Sequence, residues 1–158
     1  MADYYFYLPQ FTELTISQQV AVTETAQIAL SGGPGTGKSV VSLWRHISNY
    51  QMYKKSLLLT YTTTLAKYLT VCCTSINERT AANNIKTSLK GKQMVDKSWN
   101  EIIVDEAQDL PVSYYNDIKS ITKVSYGADD AQILYPDNCS RQSELKSLFA
   151  SNVDYVLD

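Results

Sequence analysis

Gly32-Gly33-Pro34-Gly35-Thr36-Gly37-Lys38-Ser39 is a complete G-x-x-x-x-G-K-[ST] loop, and its flanks decide the architecture. Before it, Gln27-Ile28-Ala29-Leu30-Ser31 is short, apolar and strand-like. After it, Ser39 to Met52 carries Val40, Val41, Leu43, Trp44, Ile47 and Tyr50 at helical spacing. Strand, glycine loop and helix in that order form an anion nest. Successive backbone N–H groups face inward, and the positive end of the following helix extends their field toward a phosphate. Glycine supplies backbone angles and a close approach that a side chain would block. The residues from Gly33 through Pro34, Gly35, Thr36, Gly37, Lys38 and Ser39 to Val40 are the candidates for binding ATP. Lys38 would reach the β- and γ-phosphates as a point charge, and the Ser39 hydroxyl would bind the Mg2+ that bridges them.

A second stretch completes the chemistry. Glu101-Ile102-Ile103-Val104 reads as a buried parallel strand, and Asp105-Glu106-Ala107-Gln108-Asp109 follows at its carboxyl end, where an α/β sheet presents residues to its ligand crevice. Asp105 would hold the magnesium through its water shell. Glu106 would accept a proton from the attacking water. Together the two motifs point to an ATPase.

Length and composition bound this reading. The 158 residues, 44% hydrophobic, suit one compact domain with its own core. A formal net charge of −2 argues against a strong electrostatic grip on nucleic acid by this chain alone. No run of eighteen apolar residues occurs, and the amino terminus lacks a basic segment followed by an apolar one, so neither a membrane span nor a signal peptide is expected and the location implied is cytoplasmic. Cys72, Cys73 and Cys139 fit neither a disulfide framework nor a four-ligand zinc site and read as reduced packing residues. His46, alone on the helix after the loop, reads as structural.

Elsewhere the pattern alternates strands and helices. Thr15 caps a helix from Ile16 to Thr25, with Gln18 placed to close a capping box. Ser56 to Tyr61 reads as a buried strand and Thr63 to Thr70 as a short helix. From Val71 to Ser98 the signal fades, with a strand at Ile85 to Leu89 and a turn at Gly91. Pro111 opens a helix from Val112 to Ile121, Thr122 to Tyr126 is the next strand, and a last helix (Gln142 to Ala150) precedes a strand from Val153 to Leu157. The tyrosine-rich opening, Met1 to Phe11, gives no order. The fold class expected is α/β, a parallel sheet flanked by helices on both faces.

In this order the motifs resemble the first RecA-like domain of superfamily 1 helicases of the UvrD/Rep/PcrA type, over most of the chain. Leu14-Thr15-Ile16-Ser17-Gln18 is similar to that family's glutamine motif, which implies that Gln18 reads the adenine edge; the residues by themselves give it only the capping role. Leu57 to Thr62 resembles motif Ia, so Tyr61 and Thr62 inherit a contact to single-stranded DNA, although an aromatic residue at a strand end also suits a core. The D-E-x-Q-D form of residues 105–109 is characteristic of this superfamily. Tyr126 to Gln132 is similar to motif III, with Ala128 where the family has glycine. The resemblance implies that Gln132 senses the γ-phosphate as part of the catalytic set with Lys38 and Glu106, and that Tyr135 is an aromatic DNA contact. Arg141 lies too close to Gln132 to match motif IV and reads as a surface or capping residue. Motifs IV to VI, with the arginines that a second RecA-like domain supplies as a partner, are absent, and residues 70–100 are too few for the inserted 1B subdomain. The resemblance thus implies a single RecA-like ATP-binding domain over residues 1–158, a truncated motor that binds DNA weakly by itself. A nucleotide-dependent interaction module is the alternative. A small P-loop kinase is disfavoured, because no Arg-rich lid follows the acidic motif.

Overall fold

A computed structural model describes residues 8–158, so the first seven positions of the tyrosine-rich opening lie outside the described residues. Six strands form one sheet in which every paired neighbour is parallel: β1 Ile28–Ser31, β2 Ser56–Thr60, β3 Ile85–Thr87, β4 Glu101–Val104, β5 Val124–Gly127 and β6 Val153–Val156. Their spatial order is β3-β2-β4-β5-β1-β6. Among the described residues seven α-helices precede or connect them: α1 Ile16–Thr23, α2 Lys38–Gln51, α3 Thr63–Ser75, α4 Arg79–Asn83, α5 Ser88–Lys92, α6 Val112–Ile118 and α7 Gln142–Leu148.

Strand residues alternate between the faces, and each face is covered. Leu57, Leu59, Ile102, Val104, Val124 and Tyr126 pack with Trp99, Tyr114, Tyr115, Leu145 and Phe149 from the α6 and α7 side. Leu58 and Ile103 pack instead with Leu43, Ile47, Leu69, Cys72 and Cys73 from α2 and α3. Ile28 and Leu30 join Ala21, Val22 and Val41 under α1. The expected α/β fold with helices on both faces is the observed one. No described helix is long and apolar enough to cross a membrane.

A buried polar cluster sits among these layers. Arg45 Nε donates to Glu101 Oε2 at 2.9 Å, and Arg45 Nη2 lies 2.8 Å from the same oxygen. The remaining guanidinium donors reach the carbonyls of Ala21, Glu24 and Ala26 at 3.1, 2.7 and 2.6 Å, closing the turn between α1 and β1. Asn49 donates to the other carboxylate oxygen at 3.0 Å. Nearby, His46 Nε2 is 2.8 Å from the Ala81 carbonyl, which only accepts. That nitrogen carries the proton, and Nδ1 accepts from the Ser56 hydroxyl at 2.7 Å. Burial pushes the His46 imidazole down to about 4, so it is a neutral structural link, as expected.

The segment without a clear period holds the main departures from expectation. α3 continues past Thr70 to Ser75, because Cys72 and Cys73 keep the apolar face buried. The expected strand at residues 85–89 stops at Thr87, whose hydroxyl accepts from Lys90 N at 3.4 Å and starts α5. Gly91, expected in a turn, lies inside α5. A Cβ there would fall 2.0 Å from Leu59 Cδ2, so glycine is what lets this helix lie against β2.

The end of α2 carries a different strain. Lys54 N donates to Asn49 O at 2.8 Å and Tyr53 N to Tyr50 O at 3.1 Å, the nested pair of a Schellman stop. The residue in the left-handed position is Tyr53, with φ of 59° and 98% exposure, where glycine is usual. Tyr53→Gly is expected to raise the unfolding free energy by about 1 kcal/mol, read as a later urea midpoint; an earlier midpoint would contradict the strain. Gly91→Ala is expected to lower it by about 1–3 kcal/mol. Combined with Leu59→Ala, it should cost less than the sum of the two single changes, and strict additivity would exclude the close contact.

Candidate active site

β1 ends at Ser31 and α2 begins at Lys38, and the loop between them turns through glycines at φ of 139°, 78° and 85° at Gly32, Gly35 and Gly37. No L-residue adopts those angles without strain. At Gly37 a Cβ would also meet Gln18 Nε2 at 2.5 Å, so the loop needs glycine there for space as well. Thr36 Oγ1 donates to Gly33 O at 2.8 Å and holds the loop closed on itself. Lys38 is 8% exposed, and its ammonium donates to the carbonyls of Gly32 at 2.7 Å and Gly33 at 2.9 Å. The positive charge is thereby held over the nest of N–H groups that opens α2, a 14-residue helix.

The two motifs meet across the sheet. Ser39, in the first turn of α2, donates its hydroxyl to Asp105 Oδ2 at 2.7 Å, although β5 lies between β1 and β4. Asp105 is 1% exposed and buried against apolar strands, and burial pushes its carboxyl up to about 6 despite the bond from Ser39; the neighbouring Glu106 charge adds to the rise. A carboxylate desolvated to this degree, with a hydroxyl beside it, is the donor set a hard divalent cation prefers. The glycine cradle and the caged ammonium likewise suit a polyphosphate. The residues present therefore fit Mg2+ and a nucleoside triphosphate.

One cleft of about 230 Å³ is lined by Gly35, Thr36, Gly37, Lys38, Ser39, Val40, Glu106 and Gln132. It brings together most of the residues singled out in the sequence. Pro34 is exposed on the outer side of the loop, and Gly33 contributes the carbonyl that holds Lys38. Gln18 combines two tasks. Its Oε1 accepts from Thr15 N at 2.9 Å, closing the capping box, while its Nε2 donates to Thr36 O at 2.9 Å. Helix α1 is thus tied to the phosphate loop by a single amide.

Gln108, which had no expected role, proves to be a bridge. Its Nε2 donates to Glu106 Oε2 at 2.6 Å and its Oε1 accepts from Asp129 N at 3.2 Å. Glu106 itself takes a left-handed backbone, φ 54° and ψ 47°, which aims its side chain into the cleft at a conformational cost. The signal for Gln108 was its residue type: a two-ended amide between an acid and a strand end. The backbone of Glu106 has no such signature.

Tyr61 and Tyr135 also come together, their ring centroids 5.6 Å apart and both partly exposed at the carboxyl end of the sheet. The Tyr61 hydroxyl donates to Tyr135, and that bond together with the negative charge of Tyr135 holds the Tyr61 phenol above its ordinary range. The Thr62 hydroxyl oxygen caps α3 by accepting from Leu65 N at 3.1 Å, leaving its proton free to donate elsewhere. Arg141 precedes α7 and its N–H donates to Glu144 at 3.1 Å, a capping place.

Comparison with known proteins adds three findings. The family described as AAA domain matches residues 17–134. No curated protein matches the sequence. Among solved structures the chain is similar to the UvsW helicase from bacteriophage T4, with a TM-score of 0.64 and 12% identity over 91% of this chain and 60% of that one. It is also similar to domain III of the replication initiation protein DnaA from Thermotoga maritima, with a TM-score of 0.50 and 14% identity over 90% of this chain and 59% of that one. At these identities the likeness is one of fold. The chain spans less than two thirds of the length of either structure.

Asp105 and His46 oppose each other in acid. Unfolding releases the raised Asp105 carboxyl to its ordinary 3.8, so as pH rises from about 4 to 6 this group loses stability. The lowered His46 contributes stability that is present above about 6.5 and lost as pH falls toward 4. Asp105→Asn keeps an acceptor for Ser39 and removes the buried charge. It is expected to stabilise the ligand-free protein at pH 7 by roughly 1–3 kcal/mol and to make stability fall more steeply between pH 7 and pH 5, as His46 then acts alone. Urea titrations at both pH values check this; an Asn variant weaker than the parent at pH 7 would refute the assignment.

Proposed function

The chain belongs to the AAA domain family, and on that premise we propose that it is the ATP-binding and ATP-hydrolysing first RecA-like domain of a UvrD-like superfamily 1 helicase, without the 1B insertion. The observation that carries the reading is the 2.7 Å bond from Ser39 to Asp105, which joins the phosphate loop to the acidic motif at one point. Residues 71–98 support the shortened form, since α4, β3 and α5 occupy them in compact succession.

In this reading the loop N–H groups and Lys38 hold the phosphates, and Ser39 and Asp105 hold Mg2+. Bound there, Mg2+ would neutralise charge on the phosphate oxygens. Lys38 exchanges its loop carbonyls for phosphate oxygens. Glu106, with Oε2 engaged by Gln108, leaves Oε1 to take a proton from the attacking water. Gln132 lines the same cleft opposite the loop and orients the water or the terminal phosphate. Through the amide of Gln18, α1 sets the width of the cleft beside Thr36, where the adenine edge would be read. Tyr61, Thr62 and Tyr135 face the track of single-stranded DNA, and in the complete motor hydrolysis would drive movement along that strand. Arginines from a second RecA-like domain complete the site. Such groups are worth about 10³–10⁵ in rate, so the chain alone hydrolyses slowly.

The test is binding and turnover on one preparation. Mg-dependent binding of a fluorescent ATP analogue is expected for the parent chain and for Glu106→Gln, with at least tenfold weaker binding for Lys38→Ala. Steady-state hydrolysis is expected near background, unchanged by an unstructured oligonucleotide. Brisk Lys38-dependent turnover would mean that the chain completes its own active site and would overturn the half-motor reading. Nucleotide binding that ignores Lys38 would overturn the nucleotide site itself.

A further inference from the structure

β3 ends the sheet on the side away from β6, and among the described residues no strand pairs with its outer edge, although Ile85 is only 5% exposed. The register pairs Leu58 with Ile85, and Leu58 N donates to Asn84 O at 3.0 Å. In a parallel ladder the paired residue's own N–H and C=O then point the other way, so those of Ile85 face outward. Beside this edge runs a groove of about 400 Å³ between α3 and the β3–α5 segment. Its floor is aliphatic, with Ala66, Val71 and Ile85, and its rim carries Lys67, Lys86 and Lys90. None of these three lysines has an ion-pair partner among the described residues.

Three cations around one groove repel each other and gain from a polyanionic occupant. Lysines also collect at the opposite end of the sheet, but Lys54 and Lys55 follow the end of α2 and Lys119 follows that of α6, where the negative ends of the helix dipoles account for them. Lys90 lies in the last turn of α5, but Lys67, in the body of α3, and Lys86, inside a strand, have no such account. The groove has no aromatic lining on which a base could stack, whereas the known recipe for single-strand binding joins cations to aromatic platforms. An unpaired strand edge, an aliphatic floor and a basic rim suit a peptide better than a nucleic acid. We propose that this groove docks an extended acidic segment of a partner protein, which adds a strand beside β3, sets aliphatic side chains against Ala66, Val71 and Ile85, and pairs its carboxylates with Lys67, Lys86 and Lys90.

Fluorescence anisotropy on the full chain tests this with two probes: a labelled (Glu-Val)4 peptide and a labelled eight-nucleotide oligothymidine. The expected result is saturable peptide binding that weakens at least tenfold in Lys67→Glu/Lys86→Glu/Lys90→Glu and stays within twofold in Lys54→Glu/Lys119→Glu, with oligothymidine binding unchanged in both. Should the triple variant fold poorly, the single changes Lys67→Gln and Lys90→Gln are expected each to weaken the peptide about threefold. Absence of peptide binding by the parent chain, or equal losses in the two charge-reversed variants, would overturn the proposal. Loss of oligothymidine binding with the peptide unaffected would also overturn it and make the groove a phosphate track.

Discussion

Helix α2 is fastened to both ends of strand β4, and the layers of the molecule are arranged around that clamp. At the upper end Ser39 donates to Asp105; at the lower end Arg45 pairs with Glu101. The lower pair is buried, so its net contribution against an apolar substitute is small, but removing either partner would strand a charge in the core at a cost of about 3–5 kcal/mol. Its geometry is specific where apolar contact is not. The guanidinium also gathers the carbonyls of Ala21, Glu24 and Ala26, which sets where β1 begins and hence where the phosphate loop leaves the sheet.

The upper end of the clamp is built in the opposite sense. Asp105 is desolvated and Glu106 holds an unfavourable backbone, while Lys38 is held on carbonyl oxygens. Each is tolerable because the layers below over-determine the fold. A ligand carrying both a cation and phosphates would relieve several of these strains at once, so affinity and stability are linked in this cleft.

Legibility in the sequence followed the range of the interactions. The phosphate loop, β4 and α2 were readable because glycine spacing and apolar period are local, and their bounds shifted by a residue or so. Gly91 was misread because its reason is Leu59, thirty-two positions away and on another element. α3 ran past its expected end because Cys72 and Cys73 bury a face that adjacent β-branched and hydroxyl residues disguise. In the candidate site the capping role of Gln18 was legible from its spacing to Thr15, whereas its hold on Thr36 through the other end of the same amide was not. The bridge through Gln108 and the basic groove beside β3 were not visible, since both arise only when strands distant in sequence become neighbours.

The strand order also has a bearing on how the chain acquires its structure. β1 lies between β5 and β6, and its register runs from Ile28 to Val153 on one side and from Ala29 to Tyr126 on the other. The strand that feeds the phosphate loop therefore has no partner until residues about a hundred positions later have been made, an interval of roughly 5–20 s at ordinary rates of protein synthesis. During that time an apolar segment stays with both of its edges unpaired. The phosphate loop hangs from β1, so the nucleotide cleft cannot be complete before β5 has been made.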